Sequence, residues 1–137
     1  MPRSRNSGNA RNSKLHISNF FCELIKFQTT IKLFHFQTSH FGGHKASDKL
    51  YKDFHKKYDK LLEVYQGKYG RIPSINASIK ITSVTDSKIE IYCRRFVKYL
   101  QRSTEGTCKV KCNSDICNII DEIIADINQF IYLVSFK

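Results

Sequence analysis

The sequence of 137 residues contains no apolar run near the length of a membrane span. Its first residues are basic, but no clean apolar stretch follows them, so they do not have the form of a signal peptide. The expectation is a soluble, intracellular chain that does not enter a membrane. The five cysteines, Cys22, Cys93, Cys108, Cys112 and Cys117, form no CxxC pair. "CKVKCNSDIC" separates three of them by four and five residues and offers no fourth ligand nearby, which argues against a zinc knuckle. Their odd number argues against a simple disulfide framework. Free thiols, or one loop disulfide in an oxidising particle, remain. No internal repeat is visible.

Acidic residues are also scarce, 12 against 23 Lys and Arg, which gives a net charge of +11. The deficit is uneven. Residues 113–137 set Asp115, Asp121, Glu122 and Asp126 against Lys137 alone, a balance of −3, which leaves +14 on the preceding 112 residues. Such polarity suits a polyanion partner, most simply nucleic acid.

The opening "MPRSRNSGNARNSK" carries Arg3, Arg5, Arg11 and Lys14 and no acid. Rich in Asn, Ser and Gly, it cannot bury a core, and the expectation is a disordered basic arm over residues 1–15 that touches phosphates. Residues 16–137 read as one all-α domain. Ser18 to Ser39 is helical, with Ile17, Phe21, Leu24, Ile31 and His35 on one face and Phe20, Phe27 and Phe34 beside it at heptad spacing. The two glycines of "HFGGH" predict a break. A second helix is expected from His44 to Gln66, stopped by Gly67, Gly70 and Pro73. Residues 67–85 have no period and read as a crossover. "SKIE", Ser87–Glu90, fits a capping box that opens a third helix to about Arg102. "STEGTCKVKCNS" reads as a loop. Ser114 can cap a fourth helix bearing Ile116, Ile119, Ile120, Ile123, Ile124, Ile127, Phe130, Ile131 and Val134. A short turn, a long crossover between helices two and three and a moderate loop match the ferritin-like four-helix bundle, with simple up-down alternation as the competing topology.

The second helix carries most of the chemistry. At about 100° per residue, Leu50, Phe54, Tyr58, Leu61 and Tyr65 share an apolar face, and Lys49, Lys52, Lys56, Lys57 and Lys60 spread over another. Along the seam run His44, Asp48, His55, Asp59 and Glu63. His44 and Asp48 are one turn apart and can hold one ion together. Asp59 and Glu63 make a second such pair. Eleven residues, about 16 Å of helix, part Asp48 from Asp59, so one metal cannot see both pairs of one chain. An antiparallel copy related by a two-fold axis near Asp53–Phe54 would bring His44 and Asp48 of one subunit to Asp59 and Glu63 of the other. A hairpin pivoting near Phe41–Gly42 sets His35 level with Asp48. Imidazole with carboxylates suits Fe(II), with positions left open for an oxidant. His40 reads as a turn residue, and His55, close to the axis, as an auxiliary. The plainer alternative is that these acids pair with lysines and keep the helix soluble.

The run "LFHFQT…H…D…D…E" resembles the Dps family, the iron-oxidising, DNA-protecting mini-ferritins. Their pattern is His-Trp-Asn on the first helix, then His-x3-Asp and, eleven residues on, Asp-x3-Glu on the second. His35-Phe36-Gln37 resembles the first part, His44 and Asp48 the second, Asp59 and Glu63 the third. "LFHFQTSHFGGHKASDKLY" and "VYQGKYGR" look closer still to ferritin-like proteins encoded by large DNA viruses. The resemblance spans about Leu24 to Arg71. His35 and His44 stand nine residues apart, three fewer than in the family, and Phe36 and Gln37 replace its tryptophan and asparagine. Helix four has no ExxH, which argues against the intrasubunit di-iron site of larger ferritins.

The resemblance implies a ferroxidase centre between two-fold-related subunits, with iron held by His35, His44, Asp48, Asp59 and Glu63. It also implies a homo-oligomer as large as a dodecamer, and DNA bound through a basic surface or tails. The expected phosphate contacts are Arg3, Arg5, Arg11, Lys14, Lys49, Lys52, Lys56, Lys57 and Lys60. The competing expectation is a non-enzymatic virion protein, structural or DNA-packing, that keeps the bundle without turnover. A third is a capsid-associated bundle that contacts only proteins.

Overall fold

Apolar residues recur at helical spacing on one stripe of each of four helices, and burying the four stripes against one another makes a single core. In the computed structural model, which describes residues 15–136, these are α1 (Ile17–Gln37), α2 (Phe41–Tyr69), α3 (Ile89–Cys108) and α4 (Ser114–Val134). A 3-10 turn, Lys111–Asn113, precedes α4, and no strand occurs among the described residues. The all-α class expected from the sequence is therefore observed. No helix among the described residues is long and apolar enough to cross a membrane. The basic arm, with Arg3, Arg5, Arg11 and Lys14, lies outside the described residues. Leu15, grouped with that arm on sequence, is buried in the core.

The heptad phenylalanines of α1 are the spine of the core. Phe20, Phe27 and Phe34 are each almost wholly buried. Phe27 stacks on Phe96 of α3 with ring centroids 4.0 Å apart and meets Phe54 of α2 edge-on at 5.1 Å. Both are favoured aromatic geometries, each worth about 0.5–1.5 kcal/mol beyond the burial itself. Phe34 meets Phe130 of α4 edge-on. The isoleucines of α4 at 116, 119, 120, 123, 127 and 131 complete the interior. Helix α2 packs on both α1 and α4, and α4 also packs on α3. Phe20 and Phe27 of α1 carry the contact to α3 through Tyr99, Tyr92 and Phe96.

Polar anchors fix the two ends. At one end Asp86 accepts hydrogen bonds from the Thr38 hydroxyl and from the Ser39 backbone N–H and hydroxyl, both of the latter at 3.2 Å. The residues just before α3 are thus tied to the turn between α1 and α2. At the other end Lys68, in the last turn of α2, pairs with Asp115 at 2.6 Å and donates to the Cys112 carbonyl, while the Tyr69 hydroxyl donates to Asn113. Between these anchors residues 70–85 have no regular secondary structure. Gly70 starts the segment with φ +96°, a conformation that glycine adopts without the penalty of a Cβ.

Several local expectations are corrected. The break between α1 and α2 falls at Thr38-Ser39-His40, and Gly42 and Gly43 lie inside the first turn of α2. Gly43 serves packing: a Cβ there would sit 2.9 Å from Thr38 Oγ1 and 3.6 Å from the Phe34 ring. Helix α2 runs through Gly67 to Tyr69, because its final turn is held by Gly70 N–H bonding to Gln66. The capping box at Ser87 does not form. Lys88 is the N-cap, and the Ser87 hydroxyl meets Thr85. Asn113, not Ser114, occupies the cap of α4. Helix α3 continues six residues past Arg102, through most of the segment read as a loop, because Thr104 and Thr107 turn inward and are buried. Of the two cysteine alternatives, the disulfide is present: Cys108 at the end of α3 is bonded to Cys117 in α4.

Candidate functional site

The tight turn between α1 and α2 brings two of the expected ligands into direct contact. The His35 and His44 rings stack at 3.9 Å between centroids, with planes 20° apart. His35 Nδ1 lies 2.8 Å from the His44 carbonyl, and His44 Nδ1 lies 2.9 Å from the His35 carbonyl. A carbonyl oxygen only accepts, so each Nδ1 carries the hydrogen. The neutral form of either ring then holds its lone pair on Nε2. Fixing one ring nitrogen on a carbonyl so that the other is free to ligate is the usual support of a metal-bound histidine. Ser47 adds to the clasp, since its hydroxyl donates to the His44 carbonyl at 3.1 Å and lies 3.3 Å from His35 Nδ1. His35 and Ser47 are buried, whereas His44 opens to solvent.

Asp48, one turn beyond His44, is half-buried and paired to Lys52 at 2.9 Å. The Lys52 hydrogen bond holds the Asp48 carboxyl below the usual carboxylate range; desolvation opposes this, and the charges of Lys52, His35 and Lys32 reinforce it. Asp59 and Glu63 lie farther down the same unbroken helix, exposed and without an ion-pair partner among the described residues. Thus His35 and His44 come together, Asp48 stands beside them in the sequence of turns, and Asp59 and Glu63 stand apart. Among the described residues, no three His, Cys, Asp or Glu side chains of one chain converge as a metal site.

His55 is held in the other tautomer. The Gln28 side-chain amide donates to its Nδ1 at 3.1 Å, so the neutral ring carries its hydrogen on Nε2 and its Nδ1 lone pair accepts from Gln28. The sequence places His55 on the ligand band, and in the fold its ring is tied to Gln28 of α1. His40 is the N-cap of α2, with its backbone N–H bonded to Thr38 Oγ1.

Sequence reasoning missed the apolar surroundings of the histidine pair. Phe36 and Phe41 are 70% and 74% exposed, and the Lys32 ammonium lies over both the Phe36 and Tyr51 rings. Phe36 also meets His35 edge-on. The available signal was Phe36 itself, which falls just outside the buried heptad of α1. The expected phosphate-binding lysines are partly engaged within the chain: Lys49 pairs with Asp53, Lys52 with Asp48, and Lys57 with Asp126 of α4.

No curated protein and no solved structure matches the chain. A protein family described as a family of unknown function (DUF5856) matches residues 35–134, a stretch that opens at His35 and takes in His44, Asp48, Asp59 and Glu63. That stretch is most of the chain, and the chain belongs to this family of unknown function.

Proposed function

We propose that the protein is a Dps-like subunit that takes Fe(II) as substrate between two copies of itself and shields bound DNA. The observation that carries this reading is the reciprocal clasp of His35 and His44, which leaves both Nε2 atoms as the potential donors. Oriented imidazoles together with carboxylates form a donor set that fits Fe(II). His35, His44 and Asp48 would come from one subunit, Asp59 and Glu63 from its partner. Asp59 and Glu63 lack ion-pair partners among the described residues, which keeps them available to a second chain. Iron held there would give up one electron per ion to peroxide or oxygen. The chain's own part is to hold the ion, fix the tautomers and keep the site beside the half-buried seam.

The end-to-end anchoring supports a ferritin-like order for the bundle. Asp86 ties the start of α3 to the α1–α2 turn, while Lys68 ties the end of α2 to the start of α4. An up-down-down-up course with a crossover after α2 satisfies both ties. The exposed Phe36 and Phe41 beside the histidines suit an interface, where large aromatic side chains are enriched. A two-fold dimer is the smallest assembly that completes the site, and a dodecamer would extend it.

The second reading is a virion structural or DNA-packing protein without turnover. The Asp48–Lys52 pair favours it, because a lysine already occupies one proposed ligand. Fe(II) oxidation followed in the near-ultraviolet decides between them, with His44→Ala beside the parent. Faster oxidation by the parent is expected, and equal background rates would remove the enzymatic reading.

A further inference from the structure

Most lysines of α2 are already engaged within the chain. Four of its seven, Lys49, Lys52, Lys57 and Lys68, are paired with acids, Lys45 lies over the Phe41 ring, and Lys56 and Lys60 alternate with Asp59 and Glu63. Helix α3 differs. Between Glu90 and Glu105 it carries Arg94, Arg95, Lys98 and Arg102 and no acid. Arg94 is bonded to Glu90, through Nε at 3.1 Å and Nη2 at 2.9 Å. Arg95, Lys98 and Arg102 are all exposed and have no ion-pair partner among the described residues. At about 100° per residue the three fall within roughly 60° of the helix circumference and span about 10 Å of its length. The opposite side of the same helix buries Cys93, Phe96, Val97, Leu100 and Thr104, so the stripe faces outward by construction. Lys88 extends it past the N-terminus of α3, and Ile91, 51% exposed, interrupts it. The neighbouring helix α4, packed against α3, has four acids and no Lys or Arg.

We propose that the outward stripe of α3, Arg95, Lys98 and Arg102, is the principal surface of the folded domain for the sugar–phosphate backbone of DNA. The spacing suits it: duplex DNA presents one phosphate per about 3.4 Å along each strand, so about 10 Å of helix runs past about three of them. Two of the three groups are guanidinium forks, which match phosphate oxygens in a bidentate way that lysine cannot. Contacts to the sugar–phosphate backbone carry no sequence information, so the binding proposed is independent of sequence. It leaves the seam of α2 to the second subunit, so the two surfaces do not compete.

This inference rests on the DNA reading of the preceding subsection, and the test separates the two. The full chain, the triple variant R95Q/K98Q/R102Q and the double variant K56Q/K60Q are titrated with a short duplex of arbitrary sequence over a salt series. Each lost phosphate contact flattens the slope of log K against log salt by about 0.9. The triple variant should flatten it by about 2–3, and the double variant by less than 1. All changes are at exposed positions, and an unchanged melting temperature confirms folding. Salt-sensitive binding by the parent with an unchanged slope in the triple variant overturns the α3 surface and leaves the DNA reading standing. No salt-sensitive binding by the parent overturns both. Loss of binding to anionic lipid vesicles in the triple variant, with duplex binding intact, also overturns the proposal.

Discussion

His35 and His44 are stacked face to face, and each donates its Nδ1 hydrogen to the other's backbone carbonyl. The arrangement follows from the three-residue turn between α1 and α2, which sets the last turn of one helix against the first turn of the next. It predicts a spectroscopic signature. In 15N-edited NMR of the histidine side chains, His35 and His44 should show a protonated Nδ1 when neutral, and His55 a protonated Nε2. A protonated Nε2 on neutral His35 or His44 would remove the donor atom that the iron reading needs.

The two glycines at the start of α2 should respond in opposite directions to the same change. Gly42 has open space around the position of a Cβ, so Gly42→Ala should stabilise by about 0.5–1 kcal/mol through helix propensity and a stiffer unfolded chain. Gly43→Ala would press on Thr38 Oγ1, which cannot move freely because it holds both Asp86 and the His40 backbone N–H. Overpacking of that kind costs about 1–3 kcal/mol. Denaturant midpoints of the two variants should fall on either side of the parent, and a stabilising Gly43→Ala would disprove the close approach.

That contrast shows how far the sequence could be read. The pattern of apolar residues located all four helices, because burial requires a period near 3.6 and nothing else in the chain has one. It could not tell a glycine that breaks a helix from one that lets two helices touch, since both leave the same letter in the sequence. Nor could it end α3 correctly. Thr104 and Thr107 look like loop residues, yet both are buried against the bundle, Thr104 with its hydroxyl bonded back to the Leu100 carbonyl. At the site, spacing alone placed His44 one turn before Asp48. The tautomers that separate His35 and His44 from His55 depend on partners 9 and 27 residues away and leave no local trace.

Asp86 should make the connection before α3 sensitive to acid. Burial pushes its carboxyl up, but the hydrogen bonds from Thr38 and Ser39 more than offset this and hold it below its ordinary range. A carboxyl lowered on folding stabilises the fold fully above the unfolded value of about 3.9, and that stabilisation is lost as pH falls through the lower folded value. Asp86→Asn should therefore cost about 1–2 kcal/mol near neutrality, from weakened charge-assisted bonds, and progressively less below about pH 4. Melting curves of parent and variant over pH should converge at the acid end. A constant gap down to pH 2 would mean that the charge of Asp86 is not what matters.

The thiols should divide by exposure. Burial pushes the Cys93 thiol up to about 12, so it should resist alkylation at neutral pH in the folded protein, while exposed Cys112 reacts. Reducing the Cys108–Cys117 bond reopens a short loop, and a chain-entropy estimate for that length gives a loss of about 2–3 kcal/mol. Mass spectrometry after brief alkylation, with and without reductant, reads the first expectation. Thermal melts under the same two conditions read the second, and identical melts would show that the cross-link does not constrain the unfolded chain.

The shared site makes its sharpest prediction when two broken subunits are mixed. His44→Ala removes a ligand from one half of each site, and the double variant D59A/E63A removes both ligands from the other half. Each homodimer should oxidise Fe(II) at background rate, because both of its sites are damaged. In a heterodimer the two lesions fall together on one site and leave the other whole. Random assortment after co-refolding makes about half the dimers mixed, with one intact site in two, so about one quarter of the parent activity should return. Two copies of a lesion within a self-contained site could not restore one another. A mixture that stays at background, while size measurements show that mixed dimers have formed, would mean that Asp59 and Glu63 do not complete the site begun by His44.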